Sequence, residues 1–398
     1  YAFDLAVEPP LRAELFVLGP AESVLCLVIH HIAADGWSMA PLTRDLATAY
    51  AARLRGGEPD WQPLPVRYTD YALWQRRLLG APEDPDGLLN RQLAHWTAAL
   101  AGLPDEIELP RDRPRPAVAS YDGGRVTLHI DAELHGALAE LGSRSGASLF
   151  MVLHAGLAAL LTRLGAGTDL PVGSVIAGRG DQALDDLVGF FVNTLVLRTD
   201  TSGDPAFAEL LERVRDTALA AYAHQDLPFE RLVEELAPPR SPGRHPLFQV
   251  ALSVDADETA EFTLPGLRTS RIRVPTQTAK FDLDIGIGEQ RSAAGEPLGL
   301  TGTLDYATDL FDRATVQDLA DRWVRLLRAA VAGPELPLSR IDVLSNAERR
   351  TLTGGDAPAP PPVRTPVELF RARVHAAPDA IAVAADGTEV TYAELNDR

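Results

Sequence analysis

Apolar and polar positions along the chain set out strands alternating with helices. RAELFVL and VLCLVI, separated by GPAES, read as two strands and a turn within Arg12–Ile29. The unbroken apolar run of VLCLVI predicts a short buried strand. After Asp35-Gly36, residues Met39, Leu42, Leu46, Tyr50 and Leu54 recur at helical spacing. Ser38 is placed to cap that helix, and Pro41 falls in its first turn, where proline is tolerated. The stretch AGLPDEIELPRDRPRPA holds four prolines and cannot be one helix, so it reads as a connection between two lobes.

The pattern then restarts. GRVTLHI predicts a strand, a helix begins at about Ala132, and SLFMVLHAGLAALLTRL predicts a helix apolar nearly all round and therefore deeply buried. LPVGSVIAG and FVNTLVLR follow as strands, then PAFAELLERVRDTALAAYAH as a helix. FDLDIGI and LGLTGTLDY alternate cleanly. Phe281, Leu283, Ile285 and Ile287 in the first, and Leu298, Leu300, Leu304 and Tyr306 in the second, are assigned to a covered face. A last long helix runs from Asp312 to Gly333 with the stripe Val316, Leu319, Trp323, Leu326 and Leu327. APAPPP, Ala357–Pro362, is a polyproline-type linker, and the residues beyond it hold one helix and a hairpin, too little for an independent core. Strands alternating with helices give an α/β fold.

Composition narrows the function classes. A chain of 398 residues allows two or three compact units, and 46% apolar residues can bury a large core. The net charge of −19 argues against a nucleic-acid binder and against attraction to anionic membranes. Cys26 is the only cysteine, which excludes an internal disulfide or a cysteine-based zinc site. In its predicted buried strand it is expected to be inert. The N-terminal residues lack the pattern of a signal peptide, and no run of 18 apolar residues exists, so the expected location is the cytoplasm.

Candidate chemistry concentrates in VIHHIAADGWSM, Val28–Met39. Two histidines end an apolar run, and Asp-Gly follows three residues later. On a strand, neighbouring side chains point to opposite faces, so His30 and His31 cannot share one task. Gly36 suits a left-handed turn or close approach of a ligand. Four readings stay open from these residues: core histidines bonded to backbone; a metal held by His30, His31 and Asp35, which diverging neighbours would chelate poorly; a serine hydrolase, for which no G-x-S-x-G elbow exists; and a general base or transition-state donor between two substrates.

Five ordered segments then carry a resemblance. HHIAADGWS fits the HHxxxDG signature of nonribosomal peptide synthetase condensation domains, within the chloramphenicol acetyltransferase-like superfamily. YTDYALWQ (Tyr68–Gln75), VGFFVNTLVLR (Val188–Arg198), HQDLPFE (His224–Glu230) and RSPGRHPLFQV (Arg240–Val250) resemble the family's further segments in order. The final segment, ending TYAELNDR, resembles the opening of an adenylation domain. The resemblance implies two lobes, each a mixed β-sheet packed by helices, with the active site between them. The family carries roughly a hundred more residues before HHxxxDG, so the first lobe is expected to be incomplete here. The implied boundaries are residues 1–115 for the C-terminal part of the first lobe, 116–348 for the second, 349–363 for a linker and 364–398 for the start of the adenylation domain.

The implied reaction is peptide-bond formation between a donor thioester and an acceptor amine, from an L-configured donor to an L-acceptor. No cofactor is bound directly. Phosphopantetheine arms are delivered by an upstream donor and a downstream acceptor carrier protein, with the adenylation domain as a neighbour in the chain. By the resemblance, His31 is catalytic, as general base or as hydrogen-bond donor to the tetrahedral intermediate. Gly36 either offers its N–H to the reacting centre or merely permits the turn. Asp35 pairs with Arg179, and His30 supports the site. Trp37, Ser38, Asn193 and Thr194 are candidates to line the tunnel. Tyr68, Tyr71 and Trp74 are expected as core aromatics, and His224, Pro228, Phe229, His245 and His154 as structural residues. Two rival readings are a noncatalytic recruitment module and an epimerase of the same superfamily.

Overall fold

The computed structural model describes residues 1–256, 262–272, 274, 277–353, 365–385 and 388–398. It divides into two compact units, Tyr1–Val343 and Leu344–Arg398.

In the larger unit, β1 (Leu11–Gly19) and β2 (Glu22–Ile29) form an antiparallel hairpin. Three helices follow: α1 (Met39–Leu54), α2 (Tyr68–Leu79) and α3 (Leu88–Ala99). The strand predicted as buried is not. Leu25 and Leu27 are exposed and Cys26 is half-buried. A two-stranded ribbon has no second layer to cover its faces, whatever its apolar content.

The rest of this unit is β3 (Gly123–Ile130), α4 (Ala132–Arg144), α5 (Leu149–Arg163), β4 (Asp169–Ile176), β5 (Asn193–Asp200), α6 (Phe207–Tyr222), α7 (Phe229–Leu236), β6 (Val250–Ala256), β7 (Leu283–Arg291), β8 (Pro297–Ala307) and α8 (Arg313–Ala332). Six strands make one mixed sheet in the order β3-β8-β7-β6-β4-β5. β6 runs parallel to both β4 and β7, and the other pairings are antiparallel. α4, α5, α6 and α8 pack against this sheet and one another. α5 is the centre of that layer, with every residue from Met151 to Leu161 buried, as an all-apolar helix demands. The predicted stripe of α8 is buried throughout. On the sheet's other side, Trp96 of α3 and Leu232 of α7 share a buried cluster with Val196 and Ala251.

The proline-rich connection is pinned to the sheet by Arg115, whose guanidinium pairs with Asp282 and donates to Glu106 at 3.0 Å. One alternation fails: Leu298 is exposed while Leu300, Leu304 and Tyr306 are buried. The β7–β8 register shifts between Gln290 and Arg291, and Gly299 takes φ 124°, so Leu298 is turned off the covered face.

His154 lies fully inside α5, where Nε2 meets the Thr199 hydroxyl at 3.1 Å. Burial pushes its imidazole down to about 4. An unfolded histidine titrates near ~6.5, so between those values only the unfolded chain binds the extra proton. Stability from this group is complete above ~6.5 and is lost as pH falls towards 4, by up to about 3 kcal/mol. Urea unfolding across that range is expected to show this slope and to lose it in His154→Gln.

The second unit holds α9 (Asn346–Leu352), α10 (Pro366–Ala376), the antiparallel hairpin β9 (Ile381–Ala385) and β10 (Thr388–Thr391), and α11 (Tyr392–Asp397). Val390 is its one buried apolar residue among those described. The APAPPP linker lies outside the described residues. Among the described residues, no single helix is long and apolar enough to cross a membrane.

Candidate active site

β2 ends at Ile29, so neither histidine belongs to the strand. His30 is extended and caps a short 3-10 turn, His31–Ala33. Its Nδ1 accepts from the Ile32 N–H at 3.1 Å, which leaves the proton of the neutral ring on Nε2. His31 does the reverse. Its Nδ1 lies 2.8 Å from the Ala34 carbonyl, which can only accept, so Nδ1 carries the proton and Nε2 of the neutral ring keeps a free lone pair. The His31 side of the turn is exposed, and its ring meets Phe190 edge-on at 5.1 Å. The two histidines therefore differ in task through the turn rather than through strand pleating.

Asp35 caps a second 3-10 turn, Gly36–Ser38. Its Oδ1 accepts from the Ser38 N–H at 2.9 Å and from Arg179 Nη2 at 3.3 Å; its Oδ2 accepts from the Phe191 N–H at 2.9 Å. Both partners of the ion pair are almost completely buried. With its oxygens engaged by protein donors, Asp35 is unavailable as a metal ligand, and among the described residues no group of three His, Cys, Asp or Glu side chains fits a metal.

Ser38, a candidate for lining and for capping α1, does neither. It is fully buried, and its hydroxyl accepts from the N–H groups of Asp35 (3.2 Å) and Gly189 (3.1 Å) and from Arg179 (3.2 Å). The hydroxyl proton has Asp35 Oδ1 (2.8 Å) and the Gly189 carbonyl (2.9 Å) within reach. No reactive serine thus stands beside His31 in this segment.

Gly36 lies outside the left-handed region, and an added Cβ would meet nothing within 4 Å. The turn does not require glycine. Gly36 is exposed, and its N–H, at the start of a helical turn, has no protein acceptor among the described residues. Trp37 is half-buried beside it.

Arg179 also donates to the carbonyls of Leu184 and Leu187, the latter at 2.9 Å, and lies over the Phe191 ring at 4.1 Å. Gly178 sets its position. It takes φ 65°, and an added Cβ would fall 1.9 Å from the Phe191 carbonyl oxygen. Gly178→Ala is expected to destabilise the fold by about 2–3 kcal/mol, read as a lower denaturant midpoint.

The sequence model of the condensation domain matches residues 1–353 of this α/β chain and its HHxxxDG turn. The chain belongs to the condensation-domain family. It is 57% identical over its whole length to the probable nonribosomal peptide synthetase CymA of Salinispora arenicola and 54% identical to the dimodular nonribosomal peptide synthase of Bacillus subtilis. It spans only 5% and 17% of those two proteins. Among solved structures, the X-domain in complex with OxyB from teicoplanin biosynthesis is 41% identical, with a TM-score of 0.81 over 87% of this chain and 75% of that one.

In this condensation domain three of the motif segments contact residues 188–194 of a fourth directly, and the fifth reaches them through Phe229. Tyr68 donates its hydroxyl to the Phe190 carbonyl at 2.7 Å, and its ring packs on Phe191. Tyr71 is buried against Phe191, but Tyr68 and Trp74, both expected in the core, are exposed. Asn193, a candidate for tunnel lining, is a strut instead. Its Nδ2 donates to the carbonyls of Gln225 and Leu227, and its Oδ1 accepts from the Phe229 N–H at 3.0 Å. His245 stacks on Phe229, and His224 lies flat on His95 with ring centroids 3.7 Å apart. Thr194 is half-buried at the start of β5.

Gln92 was not singled out from the sequence. It is buried in α3, donates to Asp226 at 2.7 Å and accepts from the Leu227 N–H at 2.8 Å. Its signal was present: a lone polar residue on the apolar face formed by Leu89 and Trp96.

Proposed function

We propose that this chain joins a carrier-bound donor thioester to the amine of a carrier-bound acceptor, with His31 as the catalytic group. One observation carries the reading. His31 fixes its Nδ1 proton on Ala34 and leaves Nε2 open on an exposed turn, and exposed Gly36, five residues on, has an N–H with no protein acceptor among the described residues.

The acceptor nitrogen attacks the thioester carbonyl carbon, and Nε2 takes the proton that nitrogen gives up. The Gly36 N–H donates to the oxygen that becomes negative. When the C–S bond breaks, the imidazolium returns its proton to the leaving thiolate. General base action contributes typically ~10²–10⁴-fold, and holding two tethered chains in line reaches effective molarities of ~10⁵ M. The buried Asp35–Arg179 pair keeps the turn in place. Upstream and downstream carrier proteins supply both arms, residues 364–398 open an adenylation domain, and the donor and acceptor are both L-configured.

The test is direct. Full-length protein is given two aminoacyl carrier proteins of defined configuration, and products are read by mass spectrometry. A tethered dipeptide is the expected product. Inversion of a tethered residue without dipeptide selects an epimerase. The X-domain relative, solved with OxyB, favours a second reading, a recruitment surface. Stable binding of a partner enzyme with no dipeptide formed selects it.

A further inference from the structure

Phe190 and Phe191 are neighbours in the chain with different surroundings. Phe191 belongs to a buried cluster with Tyr71, Leu184 and Leu187, and the Arg179 guanidinium lies over its ring. Phe190 is not a member of that cluster. Its ring meets the His31 imidazole instead, with centroids 5.1 Å apart and the two planes at 83°, the edge-to-face arrangement that aromatic rings favour.

The backbone sets the aim of Phe190. Two rigid peptide planes meet at its Cα, and both are pinned. On the plane before it, the Gly189 carbonyl lies 2.9 Å from the Ser38 hydroxyl. On the plane after it, the Phe190 carbonyl accepts from the Tyr68 hydroxyl at 2.7 Å, and the Phe191 N–H donates to Asp35 Oδ2 at 2.9 Å. With both planes held, the backbone torsions of Phe190 and the direction of its Cβ are fixed. Gly189 allows so close a grip, since an added Cβ there would strike the Tyr68 and Phe191 rings. Asp35 and Ser38 close the short segment that His31 opens, so phenyl ring and imidazole are mounted on one frame.

The imidazole needs a second support. Its Nδ1 bond to the Ala34 carbonyl at 2.8 Å fixes one point of the ring. The outer torsion of a histidine is broad, so a ring held at one point can still rock and carry Nε2 with it. Misplacement of a reacting group by about 1 Å can cost ~10²-fold in rate. A flat ring standing at right angles to the imidazole, and in contact with it, closes one direction of that rocking. The hydrogen bonds that fasten this segment go to peptide groups, so they do not themselves ask for a phenyl side chain at 190. We infer that Phe190 is a positioning residue for His31, holding the imidazole at the tilt that presents Nε2 to the acceptor nitrogen, an assignment that rests on the amide-forming reading above.

Amide formation is measured in the full-length protein for wild type, Phe190→Ala, His31→Ala and the double variant. Phe190→Ala is expected to lower kcat about tenfold, with KM changed less than about twofold and the unfolding midpoint kept. Phe190→Tyr, which retains the flat ring, is expected to recover most of that loss. In the His31→Ala background, Phe190→Ala is expected to lower the residual rate by less than about twofold, because no imidazole is left to position. The full loss repeated in that background overturns the assignment, and so does a wild-type kcat in folded Phe190→Ala. Should the alanine variant not fold, Phe190→Leu takes its place in the cycle with the same expectations. The ring is also read directly. Isotope-labelled histidine reports its tautomer by NMR, and the His31 signal is the one that His31→Ala deletes. Wild type is expected to show the Nδ1–H form alone, and Phe190→Ala a signal moved towards the average of the two tautomers. If the wild type forms no amide at all, the amide-forming reading fails separately, and this signal decides the positioning by itself: a moved signal supports it and an unchanged one overturns it.

Discussion

Replacing Arg179 by alanine is expected to destabilise the domain by about 3–5 kcal/mol and to remove most of its amide-forming activity. The side chains of Arg179 and Asp35 are 5% and 0% exposed, so the deletion leaves a buried carboxylate without its counter-charge. The loss is wider than one ion pair. The same guanidinium holds the Leu184 and Leu187 carbonyls, reaches the Ser38 hydroxyl at 3.2 Å and covers the Phe191 ring. Arg179→Lys is expected to restore little of this, because an ammonium lacks the planar fork that bridges these groups. Asp35→Ala combined with Arg179→Ala should be less damaging than the sum of the two single changes, since the remaining charge is then gone. Urea unfolding of the three variants checks the prediction. A midpoint for Arg179→Ala within about 0.5 kcal/mol of wild type would rule the pair out as the fastening of this turn.

The second large effect falls on rate rather than stability. His31→Ala is expected to slow dipeptide formation by about 10²–10⁴-fold while the unfolding midpoint barely moves. The contrast follows from position. His31 is exposed, and among the described residues its side chain bonds only to Ala34, three residues away. The turn itself is fastened through Asp35 and Ser38. Single-turnover assays with preloaded carrier proteins separate the chemical step from loading. Wild-type rates in a folded His31→Ala protein would leave positioning alone as the source of catalysis. His30→Ala should differ in kind, because His30 Nδ1 holds the Ile32 N–H and shapes the turn from behind.

Most of the six-stranded sheet and its helices was legible in the sequence. α5 and α8 have strong helical patterns, and the alternation in β7 and β8 is uninterrupted except at Leu298, where a register shift intervenes. The site was legible as a set of motif positions, and Arg179 was identified as the partner of Asp35. Three kinds of information were hidden. Burial of β2 depends on a second layer, which an apolar run cannot report. The tasks of Ser38 and Asn193 depend on backbone groups more than thirty residues away, so both looked like lining when they are fasteners. The need for glycine at Gly178, and its absence at Gly36, lies in φ and in the neighbouring Phe191 carbonyl, which spacing does not encode.

Ser38, Tyr68 and Asp35 reach the 188–194 segment chiefly through its peptide groups: the Gly189 amide, the Phe190 carbonyl and the Phe191 N–H. Such a grip is largely blind to side-chain identity. Val188 and Phe190 remain partly open to solvent. Substitutions at these two positions can therefore accumulate while the frame that carries the catalytic turn stays fastened, leaving evolution free to retune what sits beside the imidazole.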